Sequence, residues 1–108
     1  MVTLRTLLLA AAVPGTMSCA AAVEPPPVTH TVTMEAVSFK PDPLAVKVGD
    51  SIVWVNRDPF PHTATAAGTF DSREMPPDAS WTFRAAAPGE IRYVCAFHPT
   101  MKGTIVVR

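Results

Sequence analysis

The segment Tyr93-Val94-Cys95-Ala96-Phe97-His98-Pro99-Thr100-Met101-Lys102-Gly103 places a thiol, an imidazole and a thioether within seven residues, in the spacing C-x-x-H-x-x-M. A second imidazole, His62, lies upstream in Asn56-Arg57-Asp58-Pro59-Phe60-Pro61-His62-Thr63. His62, Cys95, His98 and Met101 thus form a donor set of two imidazole nitrogens and two sulfurs. Mg and Ca take oxygen ligands, and Zn rarely takes methionine, so the set selects a softer ion. Two imidazoles and a thiolate in a trigonal plane, with a weak axial thioether, suit copper in both of its oxidation states. The approach to the segment alternates. Ile91, Tyr93 and Cys95 share one face against Glu90, Arg92 and Val94, so Cys95 ends a strand with its sulfur on the core side.

The rest of the chain carries the same period of two. Ser51-Ile52-Val53-Trp54-Val55-Asn56 is apolar on both faces and reads as a central strand, with Trp54 in the core. Gly49-Asp50 before it is a tight turn, and Leu44, Val46 and Val48 alternate with Ala45 and Lys47 as a strand. Phe39-Lys40-Pro41-Asp42-Pro43 reads as a turn. Further upstream, Val28, Val32 and Met34 oppose Thr29, Thr31 and Thr33 on a half-buried strand, where His30 reads as a surface histidine rather than a ligand. Beyond His62, Thr63 and Thr65 lead into a short strand. Gly68 to Ser72 and Met75 to Asp78 read as loop, with Met75 a packing or surface methionine rather than a spare ligand. Ser80 to Phe83 is a strand with Trp81 and Phe83 on one face, and Gly103 to Val107 is the last. No stretch after the leader has a 3.6-residue period. About seven or eight short strands between Pro/Gly turns predict an all-β fold, an antiparallel Greek-key β-sandwich.

At 108 residues the chain has room for one domain, and its formal charge of +0 leaves no electrostatic footprint for nucleic acid. Twelve prolines argue against long helices. Residues 1–22 read as an export signal: Arg5, an apolar run from Leu7 to Val13, a Pro14-Gly15 break and small residues through Ala22. Cleavage after Ala20 or Ala22 fits, and so does lipidation at Cys19 in Thr16-Met17-Ser18-Cys19, the one route by which this chain would meet a membrane. Residues 23–28, with Pro25-Pro26-Pro27, read as a stiff spacer. The domain is expected over residues 29–108, and the destination is a bacterial periplasm. The two cysteines are Cys19 and Cys95. With one in the leader and one a metal ligand, no disulfide is expected.

From about Thr29 to Arg108 the chain resembles the cupredoxins, most closely their amicyanin-like and plastocyanin-like members. C-x-x-H-x-x-M, Pro99 directly after His98, His62 after a V-G-D-x-I-x-W-x-N stretch (Val48 to Asn56), and the ending Gly103-Thr104-Ile105-Val106-Val107 carry the resemblance. It implies the cupredoxin sandwich and one copper ion on His62, Cys95, His98 and Met101. His62 would be buried and donate through Nδ1, while His98 would lie near the surface as the electron port. Phe60, Pro61, Phe97 and Pro99 would form an apolar docking patch around it. The implied function is single-electron shuttling by a monomer between redox proteins, such as a c-type cytochrome and a periplasmic dehydrogenase or reductase. Two positions depart from the family pattern. Thr63 stands where many cupredoxins have an Asn that bonds across to the ligand loop, and Phe97 stands where amicyanins typically have Pro.

Four other readings start from the same residues. A copper storage or delivery protein would need no redox pathway, but the Met- or His-rich open sites common in metal chaperones are missing. A copper enzyme of this fold needs further histidines, and the chain has three in all, without an H-x-H pair. A Cys–His hydrolase would need an orienting third group and a larger scaffold. A metal-free cupredoxin-like domain would be expected to have lost a ligand, and all four are present. The sequence therefore predicts an electron carrier and no enzyme.

Overall fold

A computed structural model describes residues 2–3, 9–15 and 23–108. Cys19 and most of the expected leader lie outside the described residues. Nine strands follow one another: β1 (Thr29–Glu35), β2 (Ser38–Lys40), β3 (Leu44–Val46), β4 (Ser51–Asn56), β5 (Thr65–Ala66), β6 (Phe70–Asp71), β7 (Ser80–Arg84), β8 (Gly89–Val94) and β9 (Lys102–Val107). They form a four-stranded sheet, β2-β1-β4-β7, and a five-stranded sheet, β3-β9-β8-β5-β6. Among the described residues there is no helix, and none that could cross a membrane.

The β-sandwich expected from the alternation is present, and its sheets are mixed. β1 runs parallel to β4 and β3 parallel to β9, while the other pairs are antiparallel. Parallel neighbours cannot be joined by a tight hairpin, so the chain crosses between sheets to build them. Alternation reports which face of a strand is buried and carries no information on the direction of its partner. Two short strands fall where the sequence reads as turn or loop. β2 carries Phe39 and β6 carries Phe70, and both rings are buried.

The core explains the register. Val32, Met34, Ile52, Trp54 and Ile105 are each fully buried. In β4, Ile52, Trp54 and Asn56 point inward and Ser51, Val53 and Val55 are half-buried. A one-residue slip of β4 would carry Ile52 and Trp54 to the other face, at about 2–3 kcal/mol each. Trp54 packs on Tyr93, Phe70 and Trp81 at ring-centroid distances of 5.4, 5.2 and 5.6 Å. Its Nε1 is, among the described residues, the one buried side-chain nitrogen or oxygen with no hydrogen-bond partner. Directly opposite Tyr93 on β9 sits Gly103. A Cβ there would collide with the Tyr93 ring, so the close approach of the two strands requires glycine.

The two poles of the sandwich differ. Parallel pairing sets Thr29 beside Ser51 at one pole and Met34 beside Asn56 at the other. Residues 23–28 lead into the first pole, where Asp50 accepts hydrogen bonds from the Val28 and Lys47 amides at 2.9 and 3.0 Å and from His30 Nε2 at 2.9 Å. Led by the Val28 amide, these bonds hold the Asp50 carboxyl down at about 2. His30 is therefore a partner of Asp50, at the pole remote from the ligand loops.

Candidate metal centre

At the second pole, β4 ends on Asn56, which is fully buried and hydrogen-bonded at three points. Its Nδ2 donates to the Phe60 and Met75 carbonyls at 2.9 and 3.0 Å, and its Oδ1 accepts the Asp58 amide at 3.0 Å. These bonds curl residues 57–61 into a tight loop that delivers His62. The His62 amide donates to the Met75 carbonyl at 3.1 Å, and the Met75 amide donates back to the His62 carbonyl at 2.8 Å. Met75 is thus a buried clamp on the ligand loop.

His62 is fully buried, and its ring is held from both sides. Nε2 lies 2.7 Å from Asp58 Oδ2, and Nδ1 lies 3.5 Å from Cys95 Sγ. A carboxylate only accepts, so Nε2 is the donor to Asp58, and in the neutral ring that tautomer leaves Nδ1 as the nitrogen with the lone pair on the sulfur side. Burial by itself would raise the Asp58 carboxyl. The His62 ring and the Val37 and Ala36 amides outweigh burial and hold the carboxyl below the usual carboxylate range. Those amides donate at 2.9 and 2.7 Å.

The remaining candidate ligands come from the short loop between β8 and β9. The Cys95 amide donates to the Met101 carbonyl at 3.0 Å, His98 to the Cys95 carbonyl at 3.3 Å, and Met101 to the His98 carbonyl at 2.8 Å. The loop therefore closes on itself. Cys95 is a free, fully buried cysteine, Met101 is buried, and His98 is half-buried with its Nδ1 3.8 Å from Cys95 Sγ. The ligand atoms of His62, Cys95 and His98 lie within 4.8 Å of one another.

These separations can be tested against a metal. With metal–sulfur near 2.3 Å and metal–nitrogen near 2.0 Å, an angle of 110–120° sets sulfur and nitrogen about 3.5–3.7 Å apart. The observed 3.5 and 3.8 Å bracket that range, so each sulfur–nitrogen pair is spaced as two donors to one ion would be. The Thr63 amide donates to Cys95 Sγ at 3.4 Å and ties the His62 loop to the sulfur. The Phe60 ring lies 5.2 Å from His62 and 5.7 Å from His98, and the two imidazoles are 5.1 Å apart. Phe60, Phe97 and Pro99 are exposed around His98, and Pro61 is half-buried.

The cupredoxin-like domain family matches residues 6–107. The chain belongs to the cupredoxin-like family. Among its relatives in this cupredoxin group is amicyanin-alpha of Methylorubrum extorquens, 29% identical over 118 aligned positions that cover 96% of this chain and 99% of the relative. The plastocyanin of Scenedesmus fuscus is 30% identical over 91 positions, covering 68% of this chain and 89% of the relative. Similar solved structures include an amicyanin methionine-to-alanine variant described as Cu(I), at 27% identity and TM-score 0.71, with 74% of this chain and 82% of that chain covered. A reduced proline-to-phenylalanine variant of amicyanin aligns at 29% identity and TM-score 0.70, with the same coverage.

Sequence reasoning singled out His62, Cys95, His98 and Met101, and the fold gathers the first three into one cluster with Met101 buried in the same loop. It passed over Asn56 and Asp58, the residues that shape and orient the His62 loop. A buried Asn closing a strand, and an Asp four residues before a candidate ligand His, were the signals available. Both residue types are ordinary in a surface loop, so neither stood out.

Proposed function

We propose that this chain is a small exported blue-copper electron carrier, with one copper held by His62 Nδ1, Cys95 Sγ and His98 Nδ1 and with Met101 as the weak axial ligand. The observation that carries the reading is the buried N–S–N cluster with sulfur–nitrogen separations of 3.5 and 3.8 Å. Copper supplies the one-electron couple. The protein's part is to keep the donors still. His62 is locked by Asp58, and Cys95 accepts the Thr63 amide. The ligand loop is closed by backbone bonds and stiffened by Pro99. A site that cannot rearrange lowers the reorganisation on gaining or losing an electron.

His98 is the route to the surface, because it alone of the three clustered ligands is partly exposed. Phe60, Phe97 and Pro99 around it offer an apolar surface suited to brief encounters with small interfaces. The partners are redox proteins, a c-type cytochrome or a dehydrogenase or reductase of the same compartment. In this reading residues 1–22 direct export to a bacterial periplasm, 23–28 are a spacer, and 29–108 are the working domain, acting as a monomer and not as an enzyme. Cys19 is the one point for a lipid anchor.

The test is titration of the chain, begun at Glu24, with Cu(II) under absorption and EPR spectroscopy. An intense blue sulfur-to-copper band with narrow hyperfine splitting, abolished by Cys95→Ser, is the expected result. A colourless protein, or ordinary wide splitting, overturns the electron-carrier reading in favour of metal delivery.

A further inference from the structure

Thr63 occupies the position where many cupredoxins use an asparagine to tie the two ligand loops together. Its hydroxyl does not act alone. Thr63 Oγ1 accepts the Ala96 amide at 2.8 Å and lies 2.9 Å from Thr65 Oγ1, which in turn lies 3.3 Å from Asp71 Oδ1. Asp71 Oδ1 also accepts the Arg73 amide at 2.8 Å. Thr65 and Asp71 are direct cross-strand partners in β5 and β6.

The proton positions follow from donor counting. A hydroxyl has one proton and a carboxylate has none to give. The Thr65 proton therefore points to Asp71, and the Thr63 proton points to Thr65. The Thr63 lone pairs are left facing the Ala96 amide, between Cys95 and the rest of the ligand loop. The same residue donates its own amide to Cys95 Sγ. Thr63 is 4% exposed, so water has little access with which to replace a lost partner.

Resting on the copper reading above, we propose that Asp71, Thr65 and Thr63 form a directional hydroxyl relay that positions the Cys95–His98 loop against the His62 loop. In this chain the relay does the work that a single asparagine amide would do. Asp71 and Thr65 are positioning residues that touch no ligand, and the exposed carboxylate sets the orientation of both hydroxyls. Polarisation along such a chain strengthens the last bond, the one onto Ala96.

The test compares Thr63→Val, Thr63→Ser, Thr65→Val and Asp71→Ala in the full chain. Hydrogen exchange of the Ala96 amide is read in the apoprotein, and hyperfine splitting and electron self-exchange are read with copper bound. Thr63→Val should speed Ala96 exchange about tenfold, and Thr65→Val and Asp71→Ala about threefold. Each should also shift the splitting and slow self-exchange, while Thr63→Ser stays within about twofold of wild type. If Thr65→Val and Asp71→Ala leave Ala96 exchange and the splitting unchanged, the relay is refuted, even if Thr63→Val moves both. The apoprotein measurement stands without copper. A wild-type protein that is not blue therefore refutes the electron-carrier reading separately from the relay.

Discussion

Asp58 touches the candidate ligand set without belonging to it. It joins three groups: His62 Nε2 at 2.7 Å and the Ala36 and Val37 amides at 2.7 and 2.9 Å. The two amides belong to an exposed turn whose residues have φ of 53° and 57°. Bonds to a charged acceptor are worth about 1.5–3 kcal/mol each. In Asp58→Ala, water can replace the acceptor at the turn but not at His62, which is fully buried. The net loss should therefore be about 3 kcal/mol, well below the sum of three bonds.

Asp58→Asn separates the contributions. With its oxygen in the Oδ2 position it still accepts from His62 and Val37, and its NH2 opposes only the exposed Ala36 amide. The cost should be about 1 kcal/mol. Urea unfolding of the apoprotein reads both values, provided the slope is unchanged. Copper affinity should fall about 10–100-fold in Asp58→Ala and little in Asp58→Asn, because the ring orientation of His62 is lost in the first and kept in the second. Equal stability losses in the two variants, or full copper affinity in Asp58→Ala, would refute the assignment of Asp58 as the group that holds His62.

Gly103→Ala sets a methyl against the Tyr93 ring, which is wedged by Phe39 and Trp54 and cannot retreat; unfolding should show a loss of about 2–3 kcal/mol. Asp50 has its carboxyl lowered from 3.8 to about 2, so its contribution is present above the ordinary value and is lost as pH falls through the window from 3.8 to about 2. The apoprotein melting temperature should drop across that window in the wild type and be flatter in Asp50→Asn. Phe97 is 50% exposed beside His98. Phe97→Glu should leave the visible spectrum intact and slow electron self-exchange between copies about tenfold at low salt, as two like charges meet, with partial recovery in high salt. Unchanged self-exchange would remove Phe97 from the contact surface.

Residue chemistry and strand periodicity already carry the candidate donor set and the sandwich. C-x-x-H-x-x-M with His62 upstream names its ion through ligand softness, a property of residue type that needs no coordinates. Alternation at Ile52-Trp54 and at Ile91-Tyr93-Cys95 names the buried faces, because a strand's period is local. Features that depend on partners distant in the chain emerge only on folding. The parallel pairing of β1 with β4 and of β3 with β9 is one such feature, and the recruitment of Phe39 and Phe70 into short strands is another. So are the bonds that orient the site. Asp58 reaches 22 residues back to Ala36, and Ala96 reaches 33 residues back to Thr63. A hydrogen bond between loops has no period and no composition. It exists only where the folded sheets bring a donor and an acceptor within about 3 Å.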